Sequence, residues 1–375
     1  MGGSLFPKAF SFFLLLFLGV SQALAGPATW TNVWDGFQSH FLDPQGRVID
    51  YQEGGISTSE GEAYALFFSL VANDRGRFAR ILTWTQNNLA QGSLANHLPV
   101  WKWGKNAHGH WGPLSSESAS DADLWIAYTL IQAARLWQEP GYAHLARQLL
   151  RTIEKNEVVS LPQWGMTLLP GDGPYWREMN RYIINLSYEP PFLLQGLASF
   201  DPHGPWQKLL DQLPRLYAVA CPKGFAPDWF TLLPNGSGQT APLGPDGSYN
   251  AIRTYLWLGL SPQNAWTLQI QSHLWGMEKL LAAGSPIPLI VQTQNGITSG
   301  QGPIGFVAAL LPYLRRWPAS AAYHRLSAML YASWKPQQEQ FSSHYYDTVL
   351  ALFALGYVDH LYAFAPNGDL QVFWQ

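Results

Sequence analysis

A single cysteine, Cys221, among 375 residues leaves no intramolecular disulfide to form, so a large apolar core must supply the stability. Charge is scarce too. Asp, Glu, Lys and Arg together make 13% of the chain, about half the usual share, and the net charge is −3. That excludes a basic field for nucleic acid or an anionic surface. The ten histidines are scattered, and the one close set, His108 and His110, has no carboxylate or Cys partner at metal-site spacing. No Gly-x-Ser-x-Gly elbow supports Ser-His-Asp chemistry. Neither a metal nor another cofactor is expected. No heptad, short repeat or low-complexity linker interrupts the chain, and no strand–helix alternation points to a parallel sheet.

Long apolar runs are also few. The run from Phe10 to Val20 follows Lys8 and precedes Ala23-Leu24-Ala25, which has the small-x-small form of a cleavage site. It is too short and wrongly flanked to span a membrane. Residues 1–25 are therefore expected to be a signal peptide cleaved after Ala25. The mature chain, 26–375, is then a single exported domain, periplasmic or secreted.

What the chain has in excess is aromatic rings: 14% of residues, including 18 Trp. Most belong in a core, but a weakly charged exported protein rich in Trp and Tyr also suits a neutral ligand with flat C–H faces, such as a sugar. Apolar residues recur at helical spacing from Trp34 to Phe41, from Ser59 to Asn73 and, after an Asp74 cap, through Phe78, Ile81, Leu82 and Leu89. Further helices are predicted from about Ser120 to Gln138, through Leu145, Leu149 and Ile153, from Pro190-Pro191 to Phe200, and from Pro205 to about Ala220. The same pattern resumes over 249–260, 262–283, 304–315, 318–333 and 342–358. The stretches Leu98 to Gly112 and Cys221 to Gly247 read as loops, and Leu161 to Tyr188 as loops or a small hairpin. The tail reads as a hairpin turning at Asn367-Gly368. About twelve paired helical segments predict one mostly α domain.

Four polar constellations stand at or just before helix starts, where they can share one rim. In Ser57-Thr58-Ser59-Glu60-Gly61, Glu60 is either a proton donor or the partner of Ser57 in a capping box. In Ala119-Ser120-Asp121-Ala122-Asp123, one aspartate can cap the helix and leave the other for substrate. Asn185-Leu186-Ser187-Tyr188 fixes a Tyr hydroxyl near a loop. In Ser248-Tyr249-Asn250-Ala251-Ile252-Arg253, Arg253 could hold a carboxylate or lie over the surface.

Three of these runs, Thr58 to Gly61, Ala119 to Asp123 and Ser248 to Arg253, resemble the motifs of glycoside hydrolase family 8. The resemblance extends from about Trp34 to Gly356 and takes in Trp84 to Leu94, Pro227-Asp228-Trp229, Gly302 to Phe306 and Tyr345-Tyr346. Thr129 stands where the family usually has Ser or Ala. The resemblance implies an all-α (α/α)6 barrel with minor β-hairpins in loops and at the C-terminus. It further implies a glucan cleft at one end of that barrel and inverting hydrolysis of internal β-1,4-glucosidic bonds, as in an endo-β-1,4-glucanase or cellulase. It places Glu60 on the catalytic acid, Asp121 on the acid that binds the distorted sugar, and Tyr188 on the tyrosine that helps hold the water. Tyr249 and Arg253 are substrate-binding positions, and Trp101 and Trp103 are sugar-stacking platforms. The expected partners are a β-1,4-glucan chain and, as for periplasmic members, a cellulose synthase complex.

One position departs from the pattern. The family generally carries Asp as general base where this chain has Asn250, and an amide cannot accept a proton near neutral pH. Three readings stay open. Asp246, or after it Asp228, replaces the base, as in family branches such as certain chitosanases that relocate it. Alternatively, the protein is a slow hydrolase that binds glucan well, or a glucan-binding subunit of a cellulose export machine.

Overall fold

The computed structural model describes residues 29–178, 180–316, 320–333 and 344–374. The expected signal peptide and parts of the expected helices 318–333 and 342–358 lie outside them. Thirteen α-helices run through the described residues: α1 (Trp30–Phe41), α2 (Ser59–Val71), α3 (Arg75–Leu89), α4 (Ser120–Trp137), α5 (Pro140–Glu157), α6 (Pro191–Phe200), α7 (Trp206–Ala220), α8 (Ala251–Leu260), α9 (Ala265–Ser272), α10 (Trp275–Ala282), α11 (Ile304–Leu314), α12 (Ala321–Ser333) and α13 (Tyr345–Val358).

The helices alternate between two kinds. Helices α2, α4, α6, α8, α11 and α13 are buried almost all the way round. A helix with no polar face has to lie inside. The others bury one stripe; α5, for example, buries Ala146, Leu149, Leu150 and Ile153. The six apolar helices pack in sequence order as an inner ring. Phe353 of α13 closes the ring against Tyr64, Phe67 and Phe68 of α2, at 5.0, 5.5 and 4.7 Å between ring centres. It also meets Trp125 of α4 and Trp257 of α8, so much of the aromatic excess lies around the barrel axis. Each such pair contributes about 0.5–1.5 kcal/mol beyond its buried area.

The outer ring comes from α1, α3, α5, α7, the short pair α9 and α10, and α12. Six inner and six outer positions give the (α/α)6 arrangement. The predicted single helix 262–283 breaks at His273-Leu274, so two short helices share one outer position. Gly259 of α8 lets that helix lie against the backbone of Pro312 and Tyr313 in α11, where a side chain would collide.

Five small antiparallel sheets fill the connections. Strands Ser57–Thr58, Lys102–Lys105 and Trp111–Pro113 form one, so the stretch read as the loop Leu98 to Gly112 is largely a hairpin. The tail hairpin forms as expected, from Tyr362–Phe364 and Leu370–Val372. It seals the end of the barrel where Tyr128 donates to the Gly368 carbonyl at 2.7 Å. The other end carries the N-termini of the inner helices. No helix among the described residues is long and apolar enough to cross a membrane.

Candidate active site

Side chains from the N-terminal ends of α2, α4 and α8 meet on one guanidinium. Arg253, on the first turn of α8, is 2% exposed. Its Nη1 donates to Glu60 Oε2, to Asp121 Oδ2 at 2.9 Å and to Tyr64 Oη at 2.9 Å. Its Nη2 donates to Asn250 Oδ1 at 2.7 Å. Arginine has only donors, so the Asn250 oxygen must face it and the amide NH2 is directed elsewhere. The Tyr188 ring lies 5.5 Å from the guanidinium carbon. Of the two sequence readings of Arg253, the carboxylate clamp is what the structure holds, and it is buried.

Glu60 does not cap its own helix. Thr58 is the N-cap of α2, its hydroxyl accepting from Gly61 N at 3.1 Å. Ser57, the expected capping-box residue, turns away, accepting from Arg47 Nε and donating to the Val48 carbonyl. Glu60 is thus free to face Arg253. Gly61 follows because Tyr345 of α13 packs against it: a Cβ there would lie 2.5 Å from the tyrosine oxygen.

Three effects compete on the Glu60 carboxyl. Burial raises its pKa, the Arg253 charge lowers it, and neighbouring Asp121 raises it again, for a net rise to about 7. The α2 N-terminus favours the anion but is outweighed. A carboxyl that still holds its proton near neutral pH is suited to general acid work.

Asp121, at 2% exposed, is more deeply buried than Glu60. Its Oδ1 accepts from Ala122 N at 2.8 Å, a local bond to the first turn of α4, and the N-cap position itself is held by Ala119 without a side-chain bond. Neither aspartate of the run therefore caps α4 in the expected way. Asp123 turns inward instead, away from the cleft.

Around this cluster runs a cleft of three joined parts. The central part, about 210 Å³, is lined by Thr58, Glu60, Trp101, Asp121, Tyr188, Asn250 and Arg253 among others. One arm, about 430 Å³, is walled by Trp101, Tyr175, Trp176, Tyr188 and Trp229. The other, about 680 Å³, is lined by Tyr249 and Tyr346 with Asp50, Glu53, His344 and Asp347. One arm offers stacking faces and the other mostly polar groups. Trp176 and Trp229 stack at 5.2 Å and 19°, a platform that no local pattern announced because the two residues are 53 positions apart.

The remaining expected residues fall in different places. Trp101, 39% exposed, faces the cleft. Trp103 lies outside it, stacked on Trp111 and covered by Arg47. Tyr249 is 48% exposed on the polar arm, its carbonyl accepting from the Tyr346 hydroxyl at 2.7 Å. Asp228 is tied to backbone: its Oδ1 accepts from Ser248, Asn250 and Ala251 N at 2.8, 3.1 and 2.8 Å, closing the start of α8. Burial raises its pKa, and those N–H bonds offset part of the rise. Asp246 sits on a two-residue strand paired with Val291 and Gln292, and it lines none of the three cleft parts. The carboxylates that share a cavity with Asn250 are Glu60, Asp50, Glu53, Asp121 and Asp347. Sequence reading had passed over Asp50, Glu53 and Asp347, although Asp347 directly follows the noted Tyr345-Tyr346 pair. Among the described residues no cluster of three or more His, Cys, Asp or Glu is arranged to hold a metal ion.

Comparison with known proteins gives consistent results. A family model described as glycosyl hydrolases family 8 matches residues 4–360. An endoglucanase of Salmonella typhi is 39% identical, over 96% of this chain and 94% of that protein. An endoglucanase of Xanthomonas axonopodis pv. citri (strain 306) is 38% identical, over 95% and 93%. The crystal structure of an endo-1,4-D-glucanase from Vibrio fischeri ES114 superposes with a TM-score of 0.86 at 33% identity, covering 91% of this chain and 99% of that one.

Proposed function

Since the chain belongs to glycosyl hydrolases family 8, we propose that it is an exported endo-β-1,4-glucanase. In this reading it cuts internal bonds of a glucan chain by inversion and is associated with bacterial cellulose biosynthesis. The observation that carries the catalytic reading is the place of Glu60 beside Arg253 and Asp121 in the middle of a cleft with an aromatic arm, where burial favours its protonated form.

The glucan lies along the cleft, its rings stacked on Trp101, Trp176 and Trp229. Glu60 protonates the departing glycosidic oxygen. Asp121, fixed by Arg253, accepts hydrogen bonds from the hydroxyls of the distorted sugar at the cut site. Water attacks the anomeric carbon from the opposite face, held by Tyr188 and the Asn250 amide. An inverting enzyme generally places a carboxylate there as base, about 6.5–9.5 Å from the acid. Asn250 orients that water but cannot take its proton, which passes to solvent water as the new C–O bond forms. The enzyme therefore works slowly for its family, at a cost of about 10²–10⁴-fold in rate.

A second reading assigns the base to a carboxylate on the polar arm. Asp50 and Asp347 line the same cavity as Asn250, which favours it. Inversion itself is tested by NMR on cello-oligosaccharide during the first minutes of reaction. The α-anomer should appear first and then mutarotate; initial β-anomer would overturn the inverting mechanism.

A further inference from the structure

The acid run that opens α4 contains a carboxyl the catalytic cluster does not use. Asp123 is 0% exposed and meets Glu157, the last residue of α5, likewise 0% exposed. The two carboxyls are close enough that a proton on Asp123 would bond to Glu157. Among the described residues, no N–H or O–H donor reaches either Asp123 oxygen or Glu157 Oε2. The charged groups that act most strongly on the pair are themselves acids: Asp121 on α4 and Asp172 in the loop after strand Gly165–Leu168. Among the described residues neither carboxyl of the pair is in a salt bridge. Two touching carboxylates with no countercharge repel strongly, and a proton between them turns that repulsion into a hydrogen bond.

The pair is wired to the cleft wall. Ser118 Oγ donates to Glu157 Oε1 at 2.6 Å. Ser118 N donates to Asp172 Oδ1 at 2.9 Å, and Asp172 N donates back to Ser118 Oγ at 3.1 Å. Ser120 N donates to the Pro170 carbonyl at 2.9 Å, and Trp101 N to the Glu117 carbonyl at 2.8 Å. The segment 117–120 thus joins the platform Trp101 to the first turn carrying Asp121, and Ser118 and Ala119 themselves line the aromatic arm.

We infer that Asp123 and Glu157 form a proton-sharing pair that positions the 117–121 segment, so that Asp121 and Trp101 keep their places only while the pair holds its proton. Both are positioning residues, since neither touches the cleft. The inference rests on the proposed role of Asp121 in holding the sugar.

Burial and the neighbouring acids push both groups above the ordinary carboxyl range, Glu157 to about 8. The sign of the linkage follows. Below the ordinary Glu value of 4.5 the folded and unfolded chains both keep the proton. Above it the unfolded chain ionises first, so the pair's contribution to stability declines as pH rises toward about 8. Beyond that Glu157 is ionised while Asp123, raised well above its ordinary value by burial and by the carboxylate beside it, keeps the shared proton; the positioning is lost when that last proton goes.

The test measures cellopentaose affinity by calorimetry from about pH 6 to about pH 10, with melting temperatures on the same samples. The proteins compared are the wild type, Asp123→Asn, Asp123→Ala and, as a second neutral variant, Glu157→Gln. Wild-type affinity should fall roughly tenfold or more above about pH 8, while the Asn and Gln variants stay flat and Asp123→Ala binds weakly throughout. If Asp123→Asn and Glu157→Gln both repeat the wild-type alkaline fall, the pair does not position the site. Absence of cellopentaose binding at every pH overturns the sugar-holding role of Asp121. In that case the melting curves still decide the pair: a flatter pH slope in Asp123→Asn upholds the shared proton, and an unchanged slope overturns it.

Discussion

Replacing Asn250 with aspartate restores a carboxylate to the place where the reacting water is proposed to sit. The side chains are nearly isosteric, so one oxygen keeps the 2.7 Å bond from Arg253 Nη2, and the other takes the place of the amide NH2. General base catalysis is worth about 10²–10⁴-fold, or about 3–5 kcal/mol of barrier. The new charge also acts on Glu60. Two carboxylates about 7 Å apart at an effective dielectric constant of about 20 repel by about 2 kcal/mol, or between one and two pKa units. Glu60, already raised to about 7, should therefore hold its proton to higher pH. The assay is initial-rate release of reducing ends from a soluble β-1,4-glucan across pH. The expected result is a kcat at least about 10²-fold higher with KM little changed. The alkaline fall of kcat should also move up by about one to two pH units. A kcat within a few-fold of wild type would refute the reasoning, because a base would then already be acting from elsewhere on the polar arm.

Two further outcomes follow from the same geometry. Asp228→Asn keeps an acceptor oxygen for the three backbone N–H groups and should retain kcat within a few-fold, while Asp228→Ala should lose about 1–2 kcal/mol in denaturant unfolding. A kcat collapse in Asp228→Asn would instead mark Asp228 as the base. Gly61→Ala drives a methyl against the Tyr345 oxygen and should cost about 1–3 kcal/mol, read as a lower melting temperature; an unchanged value would mean the contact relaxes freely.

The sequence was most legible where one helix carries its own signal. The patterns of α2, α4 and α7, the Asp74 cap of α3, accepting from Arg77 N at 2.8 Å, and the Asn367-Gly368 turn all follow from local chemistry. Legibility ended where partners are distant in sequence. Trp103 and Trp111 look alike as loop aromatics, and only the pairing of strands Lys102–Lys105 and Trp111–Pro113 turns them onto each other, leaving Trp101 to the cleft. Asp228 offers a free carboxylate in the sequence and a helix-closing one in space. Asp123 and Glu157 are 34 positions apart on different helices, so their contact had no local signature. The break in 262–283 was hidden because the apolar spacing continues across His273-Leu274 while the backbone does not.

The measurement that bears most directly on the proposed activity is reducing-end release from soluble β-1,4-glucan by the wild-type protein and by Glu60→Gln. The amide keeps the shape of the side chain but has no proton to give to the leaving oxygen. Slow but measurable turnover in the wild type, falling at least about 10²-fold in Glu60→Gln, is the predicted result. No turnover in the wild type over hours, with cello-oligosaccharide still bound, would contradict it and leave a glucan-binding protein; so would turnover that Glu60→Gln leaves intact.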